Sequence, residues 1–188
     1  MKRILALFLA LLGAFLFSAC SSGNTSDEDA DIATLPNVVV IDVKDYGKIT
    51  VELYPEIAPI TVENFKLLVY EKFYDGSSFH RIIEGFMIQG GMGKSPVNPI
   101  KGEFVANGVT NDLIHERGVI SMARSKRYDS ATSQFFICQE RAAHLDGLYA
   151  AFGRVTEGME VVDAIAAVPT GTGDAPLTPV VITSIRFG

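Results

Sequence analysis

The sequence contains no tryptophan, only two cysteines and three histidines, and fewer basic than acidic residues. Two cysteines cannot form a disulfide framework, and no Cys/His spacing in the chain matches a zinc site. There are 16 Lys and Arg residues against 22 Asp and Glu residues, so the formal net charge is −6. A nucleic-acid surface needs clustered basic residues, and we therefore expect no nucleic-acid partner.

Several catalytic motifs are also missing. The chain has no Gly-x-Ser-x-Gly elbow, no phosphate-binding loop, no Gly-x-Gly-x-x-Gly fingerprint and no His-Glu-x-x-His. His80, His115 and His144 are scattered along the chain, so their spacing supports no shared site. Cys138 lies in an apolar run, where a buried thiol is more common than a nucleophile.

Hydrophobic residues are concentrated at the start of the chain. Lys2 and Arg3 precede an uncharged run, rich in Leu, Phe and Ala, from Ile4 to Ala19. This run is shorter than the roughly 20 residues that a membrane-spanning helix needs, and it fits the apolar part of a signal peptide. We therefore expect residues 1–19 to be an export signal.

The signal ends in Ser18-Ala19-Cys20, which resembles the lipobox of bacterial lipoproteins. In that motif the cysteine is lipidated and becomes the mature N-terminus. Phe17 departs from the pattern, since an aliphatic residue is usual three places before the cysteine. The resemblance implies a lipid on Cys20 that holds the protein at a membrane of the bacterial cell envelope. The alternatives are a plain secretory signal or an N-terminal anchor that is retained.

The polar segment that follows separates the signal from a folded domain. Residues 20–36 are acidic, have few apolar side chains and show no period, so they cannot bury enough surface to offset their ordering entropy. We expect them to form a flexible tether with a reach of about 20–24 Å. The remaining residues, 37–188, suit one ordinary domain.

The pattern within this domain indicates a mainly β fold. Alternating apolar residues predict a hairpin of Val38–Val43 and Lys48–Leu53 around a turn that contains Asp and Gly. A helical period predicts helices over Thr61–Lys72 and Gly158–Ala167. Many short strands with one helix near each end indicate a closed β-barrel capped by helices. The other predicted strands are Phe79–Ile83, Phe86–Gln89, Val119–Ala123, Gln134–Cys138, Ala150–Val155 and Val180–Phe187.

The stretch around Arg81 is the richest in candidate functional residues. In a strand, alternate side chains share a face, which would put Phe79, Arg81 and Ile83 on one side. An arginine among apolar neighbours can be a functional group or an edge-strand side chain that reaches out to water. The roles of Phe86 and Met87 are equally undecided, because Phe and Met side chains are usually part of a core. The spacing alone does not decide between these interpretations.

Four sequence blocks, taken together, favour the functional interpretation of these residues. They are Phe79–Gly91, Ile120–Arg124, Ser133–Ile137, and Leu145–Gly147 with Phe152–Val155. In content and order these blocks closely resemble the cyclophilins, over about four-fifths of the chain from Val38 onward. The resemblance implies peptidyl-prolyl cis-trans isomerase activity on a closed antiparallel barrel of eight strands capped by two α-helices.

The resemblance also implies a role for individual residues. Arg81 matches the catalytic arginine of the family. The implied substrate-binding positions are Phe86, Met87, Phe136 and Leu145 in an apolar proline pocket, Gln89 and Gln134 near the peptide backbone, Ala123 and Arg124 through their main chain, and Tyr149. Three positions depart from the common pattern. Arg124 stands where many members have asparagine, Tyr149 where many have histidine, and His144 where a tryptophan favours binding of cyclosporin.

These features predict an exported isomerase that rotates Xaa-Pro bonds in client polypeptides without a cofactor or metal. Its expected partners are proline-containing chains and, through the lipid on Cys20, a membrane; we expect a monomer. The alternative is a tethered chaperone that grips proline-containing segments with little catalysis. The joint presence of Arg81, Phe86, Gln89 and Phe136 argues for the enzyme.

Overall fold

A computed structural model of the protein describes residues 31–94 and 96–188. Cys20, the signal peptide and most of the tether predicted from the sequence lie outside the described residues. Within the described part of the chain, no helix is both long enough and apolar enough to cross a membrane. The compact unit begins at Asp31 and runs to Gly188.

The domain opens with the predicted hairpin. Strands β1 (Val38–Val43) and β2 (Gly47–Leu53) pair antiparallel, from Val38 opposite Glu52 to Val43 opposite Gly47. Every second residue of β1 is fully buried, as the alternation in the sequence predicts. The other strands are β3 (Ser78–Phe79), β4 (Arg81–Ile83), β5 (Met87–Gly90), β6 (Val119–Met122), β7 (Phe135–Cys138), β8 (Ala151–Glu157) and β9 (Val180–Phe187).

These strands form a nearly closed antiparallel barrel. Their order in the sheet is β3-β9-β1-β2-β8-β6-β7-β5-β4. The two end strands, β3 and β4, are consecutive in the chain and are separated only by His80. The two edges of the curved sheet therefore meet at this residue. The predicted antiparallel barrel is confirmed, with nine strands in place of eight because the predicted strand Phe79–Ile83 is split in two.

The split at His80 also changes which side chains share a face. Phe79 and Ile82 both lie in the main core, whereas Arg81 lines a surface cavity and Ile83 packs beside a second apolar cluster. A continuous strand would have put Phe79 and Arg81 on the same side. The prediction that they share a face is therefore wrong, because β3 pairs with β9 while β4 pairs with β5.

Two helices pack against the barrel, as predicted, with bounds shifted by one or two residues. Helix α1 spans Pro59–Tyr70, and helix α2 spans Met159–Ala166. The residue before α1, Ala58, has no side chain that could cap the helix. The buried carboxylate of Glu103 replaces it by accepting hydrogen bonds from the backbone N–H of Ile60 (3.1 Å) and of Thr61 (2.8 Å). A negative group at the positive end of a helix is favourable.

Gly158 sets the start of α2. Its φ is +90°, and a Cβ on this residue would lie 2.2 Å from the carbonyl oxygen of Lys48 in β2. Only glycine combines this left-handed conformation with so close an approach. The helix can therefore follow β8 directly and pack against β2.

A lysine ties the N-terminal segment to α1. Residues Ile32–Thr34 form one turn of 3-10 helix, and Lys66 on α1 donates from Nζ to the carbonyl oxygens of Ala33 (3.3 Å) and Leu35 (2.6 Å). Burial lowers the pKa of this lysine, which is 1% exposed. The end of the predicted tether therefore contacts the domain through Ala33 and Leu35.

Candidate active site

One cavity, with a volume of about 340 Å³, opens on the barrel surface over the ends of β4, β5 and β7. Its size is at the lower end for sites that bind small molecules. The floor is a second apolar cluster, separate from the main core, in which Met87, Phe136 and Leu145 are buried. The residues around the cavity are Arg81, Phe86, Met87, Gln89, Ala123, Arg124, Phe136, His144, Leu145 and Tyr149.

The structure brings together nearly all the residues that the sequence singled out for a site. Every predicted catalytic or substrate-binding residue except Gln134 lines this cavity. Gln134 lies in an adjoining polar cavity and accepts a hydrogen bond from Nε2 of Gln89 at 2.9 Å. His144, noted only as a departure from the family pattern, also lines the first cavity.

Arg81 is one of the two arginines that line the cavity, the other being Arg124. Its Nε donates to Oδ2 of Asp174 at 3.1 Å, and both side chains are about half-buried. Within the described part of the chain, the guanidinium makes no other protein hydrogen bond. Its two terminal nitrogens are therefore free to donate to a group bound in the cavity. Sequence reasoning missed Asp174, because the two residues lie far apart in the chain.

Gln89, which lines the cavity, is held by two polar side chains that lie outside it. Nε2 of His80 lies 3.5 Å from Nε2 of Gln89, which donates in turn to Gln134. Burial lowers the pKa of His80, so its imidazole is neutral at neutral pH. Gln89 is thus held from two sides and presents its amide at a fixed position beside the apolar floor.

Phe136 forms the centre of the floor and is held by aromatic neighbours. Its ring packs edge-on against Tyr149, with centroids 6.0 Å apart, and stacks on the imidazole of His115 at the same distance. Nδ1 of His115 lies 3.1 Å from Oδ1 of Asp146, and its Nε2 lies 3.1 Å from Oγ of Ser121. No sequence pattern predicts this support of Phe136.

The Ser121, His115 and Asp146 side chains have the order of a hydrolytic triad, but they do not face the cavity. Ser121 and His115 are fully buried behind Phe136. A substrate in the cavity cannot reach the hydroxyl, so the triad geometry supports Phe136 instead of supplying a nucleophile. Burial also lowers the pKa of His115.

Cys138 is the other nucleophilic side chain near the floor. It is fully buried, and burial raises the pKa of its thiol to about 12. The thiolate is the reactive form of cysteine, so this residue is inert at neutral pH. The prediction of a buried structural thiol is confirmed.

The described residues contain no cluster of three or more His, Cys, Asp or Glu side chains that could hold a metal ion. The cavity offers an apolar floor, the guanidinium donors of Arg81 and the amide group of Gln89. This combination can bind a short peptide segment and direct a charged hydrogen bond to one of its atoms.

Comparisons with known proteins agree with this geometry. Residues 38–187 match the family model described as "Cyclophilin type peptidyl-prolyl cis-trans isomerase/CLD". A peptidyl-prolyl cis-trans isomerase of Acinetobacter baylyi is 40% identical, over 94% of this chain and 93% of its own length. Peptidyl-prolyl cis-trans isomerase A of Dickeya dadantii is 39% identical, over 99% and 97%.

A solved structure is similar as well. The cyclophilin-type peptidyl-prolyl cis-trans isomerase of Cryptosporidium parvum, crystallised in the presence of the dipeptide Ala-Pro, superposes with a TM-score of 0.73 at 29% identity. The match covers 80% of this chain and 98% of the parasite protein.

Proposed function

The chain belongs to the cyclophilin-type peptidyl-prolyl cis-trans isomerases, and from this premise we propose how its cavity performs the reaction. The proline ring of a Xaa-Pro peptide binds on the apolar floor against Phe136, and Arg81 acts on the amide nitrogen of that proline. The Ala-Pro dipeptide used with the Cryptosporidium relative supports a proline peptide as the ligand. The observation that carries the proposal is that Arg81 and Phe136 face the same cavity.

The chemistry requires no covalent step. Resonance gives the peptide C–N bond partial double-bond character, with a rotation barrier of about 18–20 kcal/mol. When the bond twists, the proline nitrogen regains a lone pair that it lacks in the planar amide. A donor aimed at that nitrogen therefore stabilises the transition state more than the ground state, which is the condition for catalysis.

Arg81 suits this task because its guanidinium remains charged at every physiological pH. Asp174 engages Nε, so the terminal nitrogens are left for the substrate. The floor around Phe136 clamps the ring while the carbonyl on the other side of the bond swings. Gln89 and the main chain of Ala123 and Arg124 hold the flanking peptide.

Replacement of Arg81 by alanine tests this mechanism. A charged hydrogen bond contributes about 1.5–3 kcal/mol, or roughly 10- to 150-fold in rate. We expect Arg81→Ala to lower kcat/KM on a Xaa-Pro peptide by at least tenfold in a protease-coupled assay. Arg127→Ala, which removes an exposed arginine outside the cavity, is the control. An Arg81→Ala variant with the fold and the rate of the wild type would overturn the assignment.

The proposal extends to location. The basic n-region, the apolar run and Ser18-Ala19-Cys20 favour export and lipidation at Cys20, so that the domain works on newly exported chains. Prolyl isomerisation is slow enough to limit the folding of such chains. Mass spectrometry of the mature N-terminus tests this part: a diacylglyceryl or triacyl mass on Cys20 is expected. An unmodified N-terminus at another residue would refute it.

A further inference from the structure

The guanidinium of Arg124 is enclosed by aromatic rings. Its Cζ lies 4.5 Å from the ring centroid of Tyr149, 5.0 Å from that of Tyr128 and 5.1 Å from that of Phe104. Distances below about 6 Å over a ring face are those of cation–π contacts. Three rings from three separate segments of the chain therefore surround one cation.

The donors of Arg124 are also engaged. Nε and Nη2 donate to the carbonyl oxygen of Leu148, at 3.1 and 2.7 Å, and Nη1 donates to that of Ser125 at 2.9 Å. No carboxylate among the described residues pairs with this guanidinium. The side chain is thus tied to loops of the protein itself and is not held ready for a charged substrate group.

Arg124 stands between two cavities. It lines the proline pocket, and it also lines the adjoining polar cavity with Gln89, Gln134 and three hydroxyl side chains. One of its three ring partners, Tyr149, lines the proline pocket and packs edge-on against Phe136. A displacement of Arg124 would therefore move Tyr149 and, through it, Phe136 on the pocket floor.

We propose that Arg124 is a positioning residue: its side chain fixes Tyr149 and the Leu148 carbonyl, and so holds the wall of the proline pocket in the shape that binds the peptide. The inference rests on the proposed function of this pocket. It assigns to the Arg124 side chain a role beyond the main-chain contact that family resemblance implies.

The geometry requires arginine in particular. A planar guanidinium can stack on rings while its fork donates twice to one carbonyl. The ammonium of lysine keeps the charge but cannot make both contacts, and asparagine is too short to reach the three rings. We therefore expect neither Arg124→Lys nor Arg124→Asn to keep the pocket wall in the shape that binds the peptide.

The test compares Arg124→Asn and Arg124→Lys in the full chain, with Arg127→Asn as the control. Arg127 is exposed in the same loop, and its side chain makes no hydrogen bond, ion pair or ring contact with the described residues. We expect both Arg124 variants to raise KM, and the Kd for an inactive proline peptide, about tenfold, with kcat changed less than about twofold. The control stays at the wild-type values.

A double variant tests the route through Tyr149. If Arg124 acts by holding Tyr149, Arg124→Asn in a Tyr149→Ala background weakens peptide binding no further than Tyr149→Ala alone. Additive losses would overturn this route. Three results would each overturn the proposal. They are an unchanged KM in Arg124→Asn, a wild-type KM in Arg124→Lys, and equal losses of kcat and kcat/KM.

Spectroscopy keeps the proposal testable if a variant does not fold. In the wild-type protein, Cζ of Arg124 lies over three ring faces, so ring currents shift its carbon resonance upfield. A resonance at the position of a solvated arginine would contradict the cage. If the wild type lacks isomerase activity altogether, the proposed function fails, while this signature and the peptide Kd still report on the pocket wall.

Discussion

At the scale of single residues, the proposed proline pocket has charges and rings behind the side chains that line it. Asp174 engages Arg81, and His115 supports Phe136. Asp174 also has a φ of +61°, a left-handed conformation that Asp adopts more readily than most residues other than glycine. An exposed ion pair such as the one it forms with Arg81 contributes only about 0–1 kcal/mol to stability.

Asp174→Gly tests this contact without adding strain, because glycine adopts a positive φ freely. Loss of the carboxylate frees Nε, and the guanidinium then samples orientations that point away from the substrate. We expect kcat/KM to fall by about fivefold or less, within the range of an exposed ion pair. Asp75→Ala breaks the comparable pair with Arg186, outside the cavity, and is the control. Equal rates for Asp174→Gly and the wild type would show that the pair does not orient Arg81.

His115 links acidity to stability. Its folded-state pKa is lowered by burial, so the unfolded chain takes up the proton first as the pH falls. The contribution of His115 to the free energy of unfolding is therefore complete above about pH 6.5, the ordinary value, and decreases as the pH falls below it. Urea unfolding at pH 8 and pH 5.5 should show a smaller decrease for His115→Asn than for the wild type. His144→Asn, which changes an exposed histidine, should behave as the wild type, and an unchanged pH dependence in His115→Asn would contradict this account.

At the scale of elements, sequence patterns predicted the strands whose bounds depend on residues within the same segment. The hairpin of β1 and β2 and the last strand, Val180–Phe187, have the predicted bounds or nearly so, because their alternation and turn residues are set within the segment. The break at His80 was not predictable, because it depends on which distant strands pair on either side. The cap on α1 was missed for the same reason, since Glu103 lies about forty residues away.

The segment before β1 provides a test at this scale. Removal of residues 31–36 takes away both acceptors of Lys66 and leaves a buried ammonium unsatisfied. We expect this truncation to lower the free energy of unfolding by about 1–3 kcal/mol. Lys66→Met fills a similar volume without a charge, so truncation should cost much less in that background. An equal cost in both backgrounds would show that the segment contributes through other contacts.

At the scale of the whole molecule, the barrel assembles a site from segments that are distant in sequence. Arg81 is on β4, Phe136 on β7 and Leu145 in a separate 3-10 turn, and the sheet brings them to one cavity. Spacing alone left the role of Arg81 undecided, and only the resemblance across four blocks predicted the cavity residues. Asp174 and the ring cage of Arg124 were beyond that prediction, because they depend on side chains outside the shared blocks.

The central claim is that Arg81 accelerates rotation of a bound Xaa-Pro bond instead of merely helping the cavity to hold proline. NMR exchange spectroscopy measures this directly, as the cis-trans interconversion rate of a peptide at saturating protein, wild type against Arg81→Ala. The account predicts that the bound peptide interconverts at least tenfold more slowly in the variant, while Phe136 still holds the ring and binding is largely kept. Equal rates on the two proteins at equal saturation would contradict it and would favour a proline-binding chaperone.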